Sequence, residues 1–333
     1  VTENSKPTED AKSDNTATGS AAGAAPVLRL TIAPAHAGRA DRALAAAYPE
    51  VGRRRLSELF AQGGVRIGKR TVKKGERLDA GTVVELAIVP VGRGDERPQP
   101  DPEASARLQI LLERPELIAI SKPAPMPSQP LRSGELGSAA NGIAARYPEC
   151  AGLGDDPRDG GVVHRLDIGT TGVLLFARTP AAYRTLREAF SDGLVLKTYL
   201  AVTTGRPVGT SCSVSLAQRG KRAIADEQDG LNAHTDVDVL SSNGDLCLVR
   251  CTAQTGRMHQ VRAHLAMLRS PIIGDPLYGA APVASLASVL PEGRFLLHAE
   301  SVSLPFGKEK LAIRAPLPED LKAVLTAAGL KLP

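Results

Sequence analysis

The segment GGVVHRLDIGTTGVLLFAR, residues 160–178, constrains this chain more than any other. Its two apolar flanks have the composition of strands, and a polar cluster of His164, Arg165 and Asp167, followed by a Gly/Thr turn, separates them. Asp167 is thereby presented on a loop at a strand end, where a ligand can reach it. Two readings of the carboxylate are open at this point. Either it caps the turn through backbone amides, a common use of Asp before Gly and Thr, or it is a reacting group.

The chain from residue 107 onward is built in the same way. LQILLERPELIAISKP contains two strand-like runs, and KTYLAV and LCLVRCTA add two more. TPAAYRTLREAFSDG reads as a helix, with Thr179 as N-cap, Pro180 in the first turn, Tyr183, Leu186 and Phe190 on one face, and Gly193 at the exit. Strands broken by irregular stretches and occasional helices, without regular alternation, predict an α+β domain over residues 107–328, with a mixed, largely antiparallel sheet and flanking helices.

Two further residues stand out in this domain. In LKTYLAV, Tyr199 shares a strand face with Lys197 and Ala201. It is either ordinary packing or, in a chain with five Tyr, five Phe and no Trp, one of few rings available for stacking on a ligand. QTGRMHQVRAHLAMLRS predicts a helix capped by Thr255 that buries Val261, Leu265 and Leu268. Arg262 lies about 100° round that helix from Val261. It is either a solvated surface arginine or one held beside the core to meet a partly buried carboxylate.

Upstream, residues 1–26 are polar, mixed in charge and poor in branched apolar residues, which predicts a disordered tail with no secretory signal. Residues 27–90 predict a small α/β module: a strand, a helix with Leu44, Ala47 and Tyr48 at helical spacing, a second helix with Leu56, Leu59 and Phe60, then a hairpin. Arg53, Arg54 and Arg55 open the second helix, and Lys69, Arg70, Lys73 and Lys74 follow in the hairpin. The proline-containing stretch at 91–106 reads as an interdomain linker.

Composition narrows the class further. A hydrophobic fraction of 42% without any apolar run of spanning length predicts a globular protein rather than a membrane protein. The net charge of +5, partly clustered near residue 54, suggests a polyanionic partner. The four cysteines, Cys150, Cys212, Cys247 and Cys251, form no C-x-x-C pair and no zinc-type spacing. They read as reduced, buried residues of a cytoplasmic protein.

Jointly, and in this order, these motifs are specific. HRLDIGTTG closely resembles the HRLDxxTSG signature of the RluA-type pseudouridine synthases, and KTYLA, TGRMHQVRAHLA, PIIGDPLYG and LLHAESVSLPF are similar to later blocks of that family's catalytic domain, from about residue 107 to 325. Thr171 stands where the signature has Ser, and Pro125 where the family's KPxG has Gly. Residues 38–88 resemble, more loosely, the small RNA-binding module of ribosomal protein S-four, with Ile67-Gly68 in place of the usual Asn-Gly.

The resemblance implies an isomerase that converts chosen uridines of a structured RNA to pseudouridine, with large-subunit ribosomal RNA as the expected substrate. It implies Asp167 as the catalytic carboxylate, Tyr199 as the ring against the base, Arg262 as the partner of the aspartate, and Arg165 as the residue that fills the space left by the flipped nucleotide. His164, Arg257 and His259 are expected at the substrate, and Arg53, Arg54 and Arg55 at its phosphates. The reaction needs no redox change and no net hydrolysis, so no cofactor or metal is expected, and a monomer is. Two rivals are kept: a non-catalytic RNA-binding or ribosome-assembly protein, and a metallohydrolase using His164, Asp167, His259 and His264. The histidine spacings of the second fit no familiar zinc motif.

Overall fold

The structure is a computed structural model that describes residues 28–48, 51, 53–86, 96–279, 286, 288–290 and 292–333. The tail expected at 1–26 and the side chains of Arg53, Arg54 and Arg55 lie outside the described residues. The chain divides into two compact units, residues 1–91 and 92–333.

The first unit contains β1 (Leu28–Thr31), β2 (Gly38–Arg39), α1 (Ala40–Ala47), α2 (Arg53–Ala61), β3 (Val65–Ile67), β4 (Arg70–Thr71), β5 (Arg77–Leu78) and β6 (Val83–Leu86). Four of the strands pair antiparallel in the order β1-β6-β3-β4. Leu44, Leu56, Val65, Val84 and Leu86 fill its core, so the two helices bury the apolar stripes that the spacing predicted. Gly68, with φ +58°, takes the left-handed position of the two-residue turn between Ile67 and Arg70.

The second unit contains α3 (Pro102–Ala106), β7 (Gln109–Glu113), β8 (Leu117–Lys122), α4 (Ala139–Arg146), β9 (Thr171–Ala177), α5 (Pro180–Ser191), β10 (Leu196–Thr204), β11 (Ser211–Cys212), β12 (Leu216–Arg219), β13 (Arg222–Ala225), β14 (Thr235–Asn243), β15 (Leu246–Ala253), α6 (Gln260–Met267), β16 (Leu297–Phe306), β17 (Glu309–Arg314) and α7 (Glu319–Ala327). Its large sheet runs β11-β14-β15-β10-β16-β9-β8-β7, with β17 added on β16. Every pairing is antiparallel except β16 with β9. The α+β expectation with a mixed, largely antiparallel sheet is met.

All seven residues of β9 are buried. Val173, Leu175 and Ala177 pack on the α5 side, whereas Leu174 and Phe176 pack on the α4 side, so this apolar run is the doubly covered centre of the sheet. The α5 prediction holds in detail: Thr179 accepts from the Ala182 amide at 3.2 Å, and Gly193 leaves the helix with φ +72°.

Two expectations are corrected. The linker predicted at 91–106 is not one from Glu96 on: residues 91–95 lie outside the described residues, but Asp101 caps α3 by accepting from the Glu103 and Ala104 amides at 3.0 Å. Ala104 is buried, and Gly142 of α4 sits so close to α3 that a Cβ there would lie 2.9 Å from Ser105 N. Prolines here start a packed helix instead of extending a spacer. Second, α6 starts at Gln260 and not behind Thr255, because His259 occupies its N-cap position with φ 52°.

Candidate active site

Asp167 sits on the turn that enters β9. The turn is closed by Thr170 N donating to Asp167 O at 3.0 Å and tied to the segment after β8 by Met126 N donating to Ile168 O at 3.0 Å. Among the described residues no amide donates to the Asp167 carboxylate, which meets Arg262 Nη1 at 2.7 Å instead. Of the two readings open from sequence, capping is therefore not what this side chain does here.

Arg262 reaches Asp167 because α6 is buried nearly all round: Gln260, Val261, Ala263, His264 and Leu265 are all inside, and Arg262 itself is 4% exposed. A buried guanidinium has to be paired. Arg262 uses its full fork, donating from Nε and Nη2 to the two oxygens of Asp275 at 2.6 and 2.8 Å. Its face lies 4.3 Å from the Phe295 ring centroid and 5.3 Å from that of Tyr278.

Burial pushes the Asp275 carboxyl up, but the bonds and charge of Arg262, with the Leu277 and Tyr278 amides, outweigh it and leave the group below the usual carboxylate range. Burial likewise pulls Arg262 down, and its two carboxylates more than reverse this. The guanidinium is thus permanently charged and held on both sides.

Tyr199 lies at mid-strand in β10, opposite Cys251 and Ala299, and the register on β16 shifts between Thr198 and Tyr199. Such a bulge re-aims a side chain. Its ring packs against the cores on both sides of the region, and burial first, then the negative charge of Asp167, drives its phenol up, so it is neutral at ordinary pH. The charge of Asp167 thus acts on the Tyr199 phenol, and Arg262 bonds Asp167 directly.

The other expected residues divide. His259 Nε2 lies 3.8 Å from Asp167 Oδ1, and its Nδ1 meets the Tyr278 hydroxyl at 3.1 Å. Arg257 is half-buried, with Nε donating to Asn232 O at 3.0 Å. Arg165 is exposed two residues from Asp167 and has no ion pair among the described residues. His164 is a correction. It stacks on Phe190 at 4.6 Å and accepts from Leu175 N at 3.2 Å, and burial with Lys197 and Arg187 pushes its pKa down to about 3. It is a neutral residue packed on the α5 layer through Phe190.

His264 is equally committed to the interior, bonded to Thr235 Oγ1 and Val214 O. No group of three or more His, Cys, Asp or Glu among the described residues is arranged to hold a metal. No described helix is long and apolar enough to cross a membrane.

Two residues without a role in the sequence reading complete the surroundings of the turn. Asp275, which lies in the PIIGDPLYG block, is the anchor of Arg262. Lys122 is fully buried, and its Nζ donates to Met126 O at 2.7 Å, Pro123 O at 3.0 Å and Ile168 O at 3.4 Å. Burial, and secondarily Arg294, lower it to about 7, while Asp167 pulls the other way.

Residues 116–267 match the family described as RNA pseudouridylate synthase. A Xanthomonas campestris pv. campestris protein named ribosomal large subunit pseudouridine synthase D is 34% identical over 314 residues, covering 90% of this chain and 92% of that one. The chain belongs to the RNA pseudouridylate synthase family, isomerases acting on uridine in RNA. A Xylella fastidiosa protein of the same name is also 34% identical, over 312 residues, with coverages of 90% and 92%. Among solved structures, human RNA pseudouridylate synthase domain containing 4 superposes with a TM-score of 0.55 at 26% identity, over 69% of this chain and 96% of that one.

Proposed function

We propose that this protein isomerises particular uridines of large-subunit ribosomal RNA to pseudouridine, with Asp167 as the reacting carboxylate. The observation that carries the reading is the Asp167 carboxylate held at 2.7 Å by a buried arginine whose other edge is locked by Asp275, with the Asp167 charge acting on the Tyr199 phenol. The substrate class is supported by the printed names of relatives that align over most of this chain.

In the isomerisation the bond between ribose C1′ and uracil N1 breaks, the ring turns in place, a bond from C1′ to C5 forms, and the C5 proton is lost as N1 regains one. Atoms and electrons balance without a co-reactant. The reaction needs a carboxylate beside the sugar, which Arg262 holds in place by a charge-assisted hydrogen bond at 2.7 Å. It also needs the nucleotide out of its stack, at a cost of about a few kcal/mol. Stacking of the base on the Tyr199 ring offsets about 1–3 kcal/mol of that. Arg165, exposed and without an ion pair among the described residues, fills the vacated space in the RNA, and Arg257 and His259 contact the flanking nucleotide.

The first unit serves as an RNA-binding module like that of ribosomal protein S-four, with Arg53, Arg54 and Arg55 at a helix start, where unpaired amides add to their attraction for phosphate. The protein works as a cytoplasmic monomer without a cofactor. Pseudouridine mapping of total RNA from cells with and without this protein tests the assignment. Loss of signal at defined large-subunit positions is expected, and an unchanged ribosomal map would overturn it.

A further inference from the structure

Phe295 and Arg294 lie outside every motif role assigned above, yet the turn that bears Asp167 rests on them. A Cβ added to Gly169 would lie 2.5 Å from Phe295 Cε1 and 2.7 Å from Cδ1, so the backbone of the turn is in direct contact with the ring. The same ring receives the Arg262 guanidinium at 4.3 Å from its centroid. One aromatic side chain therefore lies against both the Arg262 guanidinium and the turn that bears Asp167. Phe295 is 5% exposed, so its place is fixed by packing.

Arg294 fixes the turn from the next position in the chain. Its side chain is 0% exposed, and every nitrogen is used. Nη1 donates to Gly169 O at 2.8 Å, to Leu297 O at 3.1 Å and to Phe295 O. Nη2 donates to Thr171 Oγ1 at 3.1 Å, and Nε to Asp320 Oδ2 at 2.8 Å at the start of α7. Thr171 Oγ1 also meets His298 Nδ1 at 2.9 Å. Both ends of the Gly169–Thr171 segment are thus tied by one buried guanidinium to β16 and α7.

We propose that Phe295 and Arg294 are positioning residues for the isomerisation: Phe295 sets the separation between the Asp167 turn and the Arg262 guanidinium, and Arg294 holds the turn against that ring. The proposal rests on the reading of Asp167 as the reacting carboxylate. It explains why a glycine follows Ile168, since any side chain at 169 meets the ring, and why a charged arginine is kept in the interior. A displacement near 1 Å at a reacting group costs about a hundredfold in rate.

The test uses the full-length protein and a large-subunit ribosomal RNA transcript labelled with tritium at uridine C5, and reads kcat and KM from tritium release and Kd from filter binding. Phe295→Val and Gly169→Ala are each expected to lower kcat about tenfold to a hundredfold with Kd changed less than about threefold. In the Phe295→Val background, where the ring is gone, the further loss from Gly169→Ala should shrink to about threefold or less. Arg294→Lys, which keeps the charge but not the fork, should lower kcat in the same way, with a circular dichroism melt confirming a folded chain. Should Phe295→Val not fold, Gly169→Ala and Arg294→Lys decide.

Wild-type kcat in these variants, or losses that multiply independently in the double variant, would overturn the proposal. Asp167→Ala is run alongside. Inactivity of that variant with unaffected positioning variants sinks only this proposal, whereas full activity of Asp167→Ala sinks the reading on which it rests.

Discussion

Asp275 holds Arg262 by the edge formed by Nε and Nη2, at 2.6 and 2.8 Å, and so leaves Nη1 to meet Asp167. The pair is out of water: the Asp275 side chain is 0% exposed and that of Arg262 is 4% exposed. A buried ion pair of this kind is weak as a source of stability but costly to break from one side, because the survivor is left as an unpaired buried charge. Its value here is orientation, since a guanidinium gripped at one edge can present the other in a single direction.

Asp275→Ala is accordingly expected to cost about 3–5 kcal/mol of stability in urea unfolding and to lower kcat as well. The pH dependence has a definite sign. The folded-state pKa of Asp275 lies below its unfolded value of about 3.9, so its contribution is complete above about pH 5 and disappears as pH falls through the lower folded value. The stability difference between wild type and variant should be flat from pH 5 to 7 and shrink in acid. A difference that grows in acid contradicts the pairing.

Lys122 gives a slope of the same sign in a higher pH window, but there a buried charge costs stability instead of adding to it. Its folded-state pKa is pushed down to about 7, while the unfolded chain binds the proton up to about 10.4. Between these values the unfolded state carries more protons, so folding stability rises with pH, and the cost of burying the charge is fully present below pH 7. Relative to Lys122→Met, the wild type should gain up to about 1.4 kcal/mol per pH unit between pH 7.5 and 9.5. Parallel stability curves would show that the ammonium is charged in both states throughout.

Substitutions at Tyr199 separate stacking from hydroxyl chemistry. Tyr199→Phe keeps the ring and should retain RNA affinity and most of the activity. Tyr199→Ala should weaken the productive complex by about 1–3 kcal/mol, the worth of one base on an aromatic ring. The alanine variant also loses packing, because the ring touches the cores on both sides. Its binding is therefore compared at a temperature where circular dichroism shows both variants folded.

For the first unit, replacing Arg53, Arg54 and Arg55 together by Ala should reduce the slope of log affinity against log salt by about 2 to 3. Removing residues 1–91, the whole first unit, should weaken RNA binding more than turnover on saturating RNA. A later cut disturbs the second unit, since Glu96 lies 3.8 Å from Arg158 and Gln99 O accepts from Asn141 Nδ2 at 2.8 Å. Unchanged affinity and salt slope would place the phosphate contacts elsewhere.

Much of this site is written in local sequence. The Asp167 turn could be read because an apolar strand on one side and Gly/Thr on the other leave a carboxylate nowhere to hide. Helical spacing put Arg262 at the edge of the buried stripe, where a solvated and a core-side arginine look alike, and only the family resemblance paired it with the aspartate. The orientation of His164 was not legible: one position along the loop decides between the Asp167 cleft and the Phe190 ring, and periodicity does not extend into a loop. Asp275, Lys122 and Arg294 escaped because a charged residue is expected in water. Only three-dimensional pairing shows what makes their burial tolerable. The PIIGDPLYG block carried the one usable signal for Asp275, an acidic residue thirteen positions after Arg262 in a segment already matched. Residues 96–106 misled because proline and mixed charge look alike in a spacer and at a capped helix start.

The most direct test compares wild type with Asp167→Ala on a large-subunit ribosomal RNA transcript, reading pseudouridine at single-nucleotide positions after incubation with purified protein. The wild type is expected to convert a small set of uridines, and Asp167→Ala to bind the same RNA but lose conversion by about a thousandfold or more, the scale of removing a reacting side chain. Conversion of the same positions at the wild-type rate by Asp167→Ala contradicts the account.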